Sequence, residues 1–250
     1  MSNIVIKRCG WTIKDPIYLD YHDNEWGKPQ RDRVRLFEML SLGVTQCGLS
    51  WNIVFKRRDS YRVAFSQFNI ENISKFTGED IDRLMKNEQL IRHRGKLEAI
   101  VNNAKMVLEL ESKLKISFPE YLWGFVGDKP ILNNNTSISG IPTKSDVSDK
   151  MAASLKTYGF KFTGTTICYA FMQTVGMIND HLEDCFCRVG PTQSSAAKPA
   201  ARKSKLKQTS PIKETVVESV VVIREFLIEY SHLFEESLVR VYEITKSVYC

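Results

Sequence analysis

The sequence predicts an all-α domain over residues 1–190, a flexible basic linker over 191–211 and an amphipathic helical extension over 212–250. Apolar residues recur at helical spacing in the first part, alternating β-type runs of five or more residues are scarce, and the composition changes at Gly190-Pro191. Val34 to Leu42, Ile81 to Leu90 and Lys96 to Leu114 carry the helical period. Thr77 before Glu79-Asp80 and Ser145-Asp146 before Val147–Leu155 read as helix starts. Between 191 and 211 apolar bulk is low, and Lys198, Arg202, Lys203, Lys205 and Lys207 give a basic cluster. That cluster reads either as a nucleic-acid or nuclear-import patch or as a solvated run. From 214 to 248, apolar residues at 216, 220, 223, 227, 230, 234, 238 and 241 define one stripe, although dense β-branching weakens the helix. It suits either folding back on the main domain or binding a protein partner.

Composition narrows the function classes. The chain has 250 residues, 43% hydrophobic and 26% charged, values ordinary for a globular protein. No run of 18 apolar residues occurs, so no membrane role is expected. The first residues lack a secretory-type apolar stretch, which predicts an intracellular protein, nuclear in a eukaryote and cytoplasmic otherwise. Six cysteines are then expected as thiols or metal ligands. The net charge of +6 divides into +4 for 1–190 and +2 for 191–250. Any anion-binding groove must therefore come from local clustering.

Cys9 and His22 near one end of the domain, with His181 and Cys185 near the other, make a ligand set of two sulfurs and two imidazoles suited to tetrahedral zinc. The i, i+4 spacing of His181 and Cys185 would put both on one helix face. Four protein ligands close the coordination sphere, so such an ion would be structural, and a zinc hydrolase is disfavoured. Spacing alone leaves a second reading open, a buried thiol and a hydrogen-bonded histidine at each end. Cys187 is a further thiol nearby.

Trp11, Tyr18, Tyr21 and Trp26 crowd sixteen residues, and Trp51 follows Gly48-Leu49-Ser50. Such rings can sandwich an extruded base, or simply form core. Gly159 and Gly164, five apart in Tyr158–Ile167, fit a helix-hairpin-helix that lets backbone N–H groups reach a phosphate. Arg92-His93-Arg94-Gly95-Lys96 is a second cationic turn entering a helix, or a solvated face.

Taken in order, these strings resemble the 3-methyladenine DNA glycosylase I family: Arg8-Cys9-Gly10-Trp11, Tyr21-His22-Asp23-Asn24-Glu25-Trp26-Gly27, Gly48-Leu49-Ser50-Trp51, Ile91 to Lys96, Gly159 to Tyr169, and Asn179-Asp180-His181 with Cys185. The resemblance covers about residues 8 to 188. It implies a helix-hairpin-helix fold and one structural zinc on Cys9, His22, His181 and Cys185. It also implies monofunctional excision of N3-alkylated adenine from double-stranded DNA. Tyr21 and Trp51 become the expected catalytic pair, and Trp11, Tyr21, Trp51 and Leu49 the substrate-binding set, with Leu49 as a wedge into the base stack. Gly159, Lys161, Gly164 and Thr165 become the DNA contacts. One position departs from the pattern. Gly43 stands where the family carries a base-contacting glutamate, and Glu38 lies five residues earlier. The loss predicts weakened or broadened activity, with a non-catalytic damage-binding protein as the alternative.

Overall fold

The computed structural model describes residues 6–12 and 15–188, which fall within one compact unit. The linker and helical extension expected over 191–250 lie outside the described residues. Ten α-helices and one pair of two-residue strands are found among the described residues. The all-α expectation holds for this part.

Helix α1 (Pro16–Asn24) starts at Asp15, whose carboxylate accepts from the Ile17 N–H, with Pro16 at a position that has no use for an N–H. Helix α2 (Arg33–Gln46) is capped by Asp32 and buries every residue from Leu36 to Thr45. A helix apolar almost all round belongs in the middle of a bundle, and α2 packs against α7 (Arg94–Leu114), α8 (Phe118–Gly124) and α10 (Thr165–Thr174). Short helices α3 (Trp51–Phe55), α4 (Arg58–Ala64) and α5 (Ile70–Ile73) follow. In α6 (Gly78–Lys86), Thr77 and Asp80 close a capping box, as the sequence predicts. The expected run to Leu90 ends early. Asn87 turns extended, and its side chain accepts from the Gln89 N–H, so the backbone leaves the helix in a local turn.

The predicted helix-hairpin-helix is present. Helix α9 (Asp146–Thr157), capped by Ser145, packs on α10 through a turn at 158–164. Gly159 adopts φ +81° there. Asn103 of α7 clamps this turn, accepting from the Lys161 N–H at 2.8 Å and donating to the Lys161 carbonyl at 3.0 Å. Strand β1 (Ile131–Leu132) pairs in parallel with β2 (Ile178–Asn179). An isolated bridge of Asn135 with Leu182 continues the contact.

One glycine decides how the ends of the domain meet. Gly176 sits at φ +71°, and a Cβ there would lie 2.3 Å from the backbone carbon of Lys28. Residues 27–30 are seated on the end of α10, with Gly27 N–H donating to Gln173 O and Gln30 N–H to Val175 O. Gly176→Ala combines left-handed strain with a backbone clash. It should cost at least about 3 kcal/mol, lowering Tm by roughly 6–12 °C; a thermal melt within 2 °C of wild type would contradict this packing.

Candidate active site

Two clusters of buried side chains divide the domain. The larger surrounds α2, α7 and α10. The smaller joins Cys9, Tyr21, Trp26, Phe55, Leu182 and Cys185, with Trp11, Tyr18 and Trp51 packed on it. The sequence-predicted metal ligands therefore lie together with the predicted base-handling rings.

Cys9, His22, His181 and Cys185 are all buried, and their ligand atoms lie within 4.8 Å of one another. Cys9 Sγ is 3.5 Å from His181 Nδ1, and Cys185 Sγ is 3.5 Å from both His181 Nδ1 and His22 Nε2. Tetrahedral zinc, with Zn–S of about 2.3 Å and Zn–N of about 2.0 Å, sets a sulfur–nitrogen edge of about 3.5 Å. The residues present fit such an ion. Each imidazole is oriented by its other nitrogen. His22 Nδ1 meets Asp23 Oδ1 at 2.8 Å, with Arg8 holding that carboxylate from behind, and His181 Nε2 meets Trp26 O at 3.1 Å. Such outer partners fix the ring for a metal. Burial pushes the Cys9 thiol up to about 12 and the His181 imidazole down to about 4. A neutral histidine is ready to ligate, whereas a thiolate needs a cation beside it.

One expectation needs correction. His181 and Cys185 do not share a helix face, because the segment is a turn. Leu182 is held in the bridge to Asn135, and Cys185 N–H donates to Leu182 O, which brings the two side chains together without a helix.

A cavity of about 400 Å³ opens beside this cluster, lined by Trp11, Tyr18, Tyr21, Trp26 and Trp51 on one side and by α10 on the other. The Tyr21 and Trp51 rings are 5.8 Å apart, and Phe55 packs under both at 4.5 and 5.7 Å. Burial pushes the Tyr21 phenol up, so it stays protonated, and its hydroxyl is 3.2 Å from Thr174 Oγ1. The volume suits a nucleobase, near the lower end for ligand cavities. Leu49 does not line the cavity; it stands on the turn between α2 and α3, partly buried against the core.

Below Phe55 lies an ion-pair network. Arg58 donates to Glu38 at 2.7 Å and to both oxygens of Glu25 at 2.8 and 2.9 Å, while its guanidinium sits 5.1 Å from the Phe55 ring centre. Arg35 bonds both glutamates, and Arg62 adds a third cation on Glu38. Glu38 is thus fully engaged away from the cavity and does not replace the missing glutamate. Gly43 is buried in α2 with Ile167 against it, 3.4 Å from where a Cβ would stand.

The expected DNA contacts gather at the hairpin. Gly164 is the N-cap of α10, with no side-chain cap on the first N–H groups, and a Cβ there would meet nothing within 4 Å. Lys161 is exposed, and Thr165 Oγ1 is 2.9 Å from Ser148 Oγ. The other cationic turn divides. Lys96 is buried and donates to the Thr45 and Cys47 carbonyls, capping α2 and holding the turn that carries Leu49 to Trp51. Arg94 pairs at the surface with Asp82 and Glu98.

A sequence model of the methyladenine glycosylase family matches residues 11–188. The chain belongs to this family. The DNA-3-methyladenine glycosylase of Haemophilus influenzae is 51% identical over 181 residues, covering 72% of this chain and 97% of the relative. A crystal structure of a 3-methyladenine DNA glycosylase I superposes with TM-score 0.72 at 47% identity, covering 73% of this chain and all of the other. The Staphylococcus aureus enzyme, solved to explain 3-methyladenine recognition, gives TM-score 0.71 at 38% identity over 73% of this chain and 97% of its own.

The matched region of this family member includes a cavity wall that sequence reasoning missed. Thr166, Tyr169, Ala170, Gln173 and Thr174 line it from α10, and Ile138, Ile141, Pro142 and Thr143 from the preceding loop. The α10 residues follow a 3/4 spacing, a polar stripe on an apolar helix that was visible in principle. The loop residues carry no comparable signal.

Proposed function

We propose that the protein is a monofunctional DNA glycosylase that hydrolyses the N-glycosidic bond of 3-methyladenine in double-stranded DNA. The carrying observation is the aromatic cavity next to the uncapped start of α10. One helix serves both tasks. Its first N–H groups, with Lys161 and the backbone at Gly159 and Gly164, offer an anion site for a DNA phosphate. Its Thr166–Thr174 face walls the cavity, beginning in the first turn and running roughly two turns further. Hairpin contacts of this kind hold the duplex without reading sequence.

An N3-methylated adenine is cationic, so its bond to the sugar is weak and its departure as a neutral base favourable. The protein then has to extrude the base, hold it against Trp11, Tyr21 and Trp51, and admit the water that attacks C1′. Stacking contributes about 1–3 kcal/mol per base, and a cation over tryptophan gains more in a desolvated site. Among the described residues no lysine lines the cavity, and the proposed reaction has no covalent Schiff-base step. Zinc on Cys9, His22, His181 and Cys185 would pin Trp11, Tyr21 and Trp26 to the far end of the domain. With all four positions filled by protein, it would take no part in the chemistry.

Release of 3-methyladenine from methylated duplex DNA tests this reading, and release no greater than from Trp51→Ala would overturn it. Gly43 gives a second measurement. A charge-assisted hydrogen bond from a restored carboxylate is worth about 1.5–3 kcal/mol. Gly43→Glu should therefore raise the excision rate by about one to two powers of ten. Duplex binding without base release in wild type, with release restored in Gly43→Glu, would mark a damage-binding protein instead.

A further inference from the structure

Asp180 is fully buried, its neighbours in sequence serve the zinc clip and the strand pair, and the proposed chemistry leaves it unused. Its carboxylate accepts four hydrogen bonds from neutral side chains. Oδ1 takes Asn133 Nδ2 at 2.7 Å and Asn135 Nδ2 at 2.8 Å. Oδ2 takes the Tyr169 hydroxyl at 2.7 Å and Gln173 Nε2 at 2.7 Å. Asn133 and Asn135 begin the loop whose residues 138 and 141–143 line the cavity, and Tyr169 and Gln173 line it directly.

A carboxylate can only accept, so its four partners can only donate to it. That settles the polarity of the wall. The single Tyr169 hydroxyl proton is committed to Asp180, leaving lone pairs as all the phenol can offer elsewhere. Gln173 must turn its NH₂ to Asp180, which leaves Oε1 as its free group, with no donor to it among the described residues. Thr174 follows the same polarity on another path. Its proton goes to the Ala170 carbonyl at 2.9 Å, so Tyr21 donates to Thr174 and keeps its own lone pairs.

We infer that Asp180 is a positioning residue for base selection: by consuming the protons of Tyr169 and Gln173, it presents the cavity with hydrogen-bond acceptors that favour a purine bearing an exocyclic amine. This rests on the glycosylase reading. It supplies from α10 the acceptor character that Gly43 cannot supply from α2. A base with an oxo group in place of the amine brings a second acceptor to the same wall and is rejected, because neither side then has a proton to share.

An asparagine at 180 has one oxygen for four donors, so at least part of the wall must reverse. Quenching of tryptophan fluorescence by free 3-methyladenine and by 3-methylhypoxanthine measures the preference directly. Wild type should bind the amine-bearing base at least about tenfold more tightly, one hydrogen-bond mismatch being worth that much. Asp180→Asn and Tyr169→Phe should bring the two affinities within about threefold, while a merely structural role would weaken both bases alike and keep their ratio. Tyr169→Phe leaves Asp180 three donors and decides the matter if Asp180→Asn fails to fold. An unchanged ratio in folded variants, with wild type still releasing 3-methyladenine from DNA, overturns this inference alone. Wild type that releases no base overturns the glycosylase reading beneath it.

Discussion

Cys185→Ser is expected to abolish stoichiometric zinc binding and to lower Tm by more than about 10 °C. Structural zinc contributes roughly 10 kcal/mol or more where it organises a small fold. Here the fall is smaller than that figure because the core around α2 and α7 is independent of the clip. The loss should be local. Far-ultraviolet circular dichroism should keep most of its helical signal while base binding at Trp11 and Tyr21 disappears, since those rings stand on the segment the clip secures. Metal analysis of the purified protein, before and after exhaustive chelation, checks the first half. Purified wild type with no bound metal and an unchanged melt after chelation would remove the zinc assignment and leave four buried groups that merely pack.

The second large effect is expected under the cavity floor. Glu38 is 3% exposed and bonded to three arginines, of which Arg58 is almost equally buried. Removing one member of a buried ion network leaves a partner without compensation, and such losses run to about 3–5 kcal/mol. Glu38→Ala should therefore lower Tm by roughly 6–20 °C. Because Arg58 lies under Phe55, and Phe55 under Tyr21 and Trp51, the same change should weaken base binding. The network also carries a pH signature. Burial by itself would raise Glu25, but Arg58, Arg35 and Arg62 more than reverse this, and its carboxyl is held below the usual range. A carboxylate lowered in the folded state stabilises the fold above its unfolded pKa, about 4.3. That contribution fades as pH falls toward the folded value. Wild type should lose stability with acid below about pH 4.3, and Glu25→Gln should flatten that slope. A parallel pH dependence in both proteins would argue against this assignment.

The residues legible in the sequence were those whose chemistry is declared by type. Two cysteines, two histidines and a crowd of aromatic rings announce themselves, and the structure brings Trp11, Tyr21 and Trp51 around one cavity beside the four candidate metal ligands. Caps at Thr77 and Ser145 were readable because a side-chain oxygen before a helical period has few other uses. The turn at 181–185 was not readable, because the same four-residue spacing fits a helix and the deciding contact, the bridge from Leu182 to Asn135, comes from 47 residues away. Lys96 misleads in the opposite direction. It sits in a cationic string, yet its ammonium is spent on two carbonyls at the end of α2. Asp180 lay inside a matched motif, but its importance is in the four donors that the fold gathers around it. No local pattern encodes that.

The clip and the cavity wall join residues 9–26 to residues 166–185, so the site is among the last parts of the domain that synthesis can complete. Contacts spanning 163 and 172 residues also carry the largest loop-closure cost. Until residue 185 has emerged, the early aromatic segment can pack on Trp51 and Phe55 but lacks its partners at 166–185, and its four large rings stay incompletely covered. A growing chain is therefore most vulnerable to aggregation just before it becomes useful, and a fragment cut short of that point keeps its aromatic segment with only part of its cover.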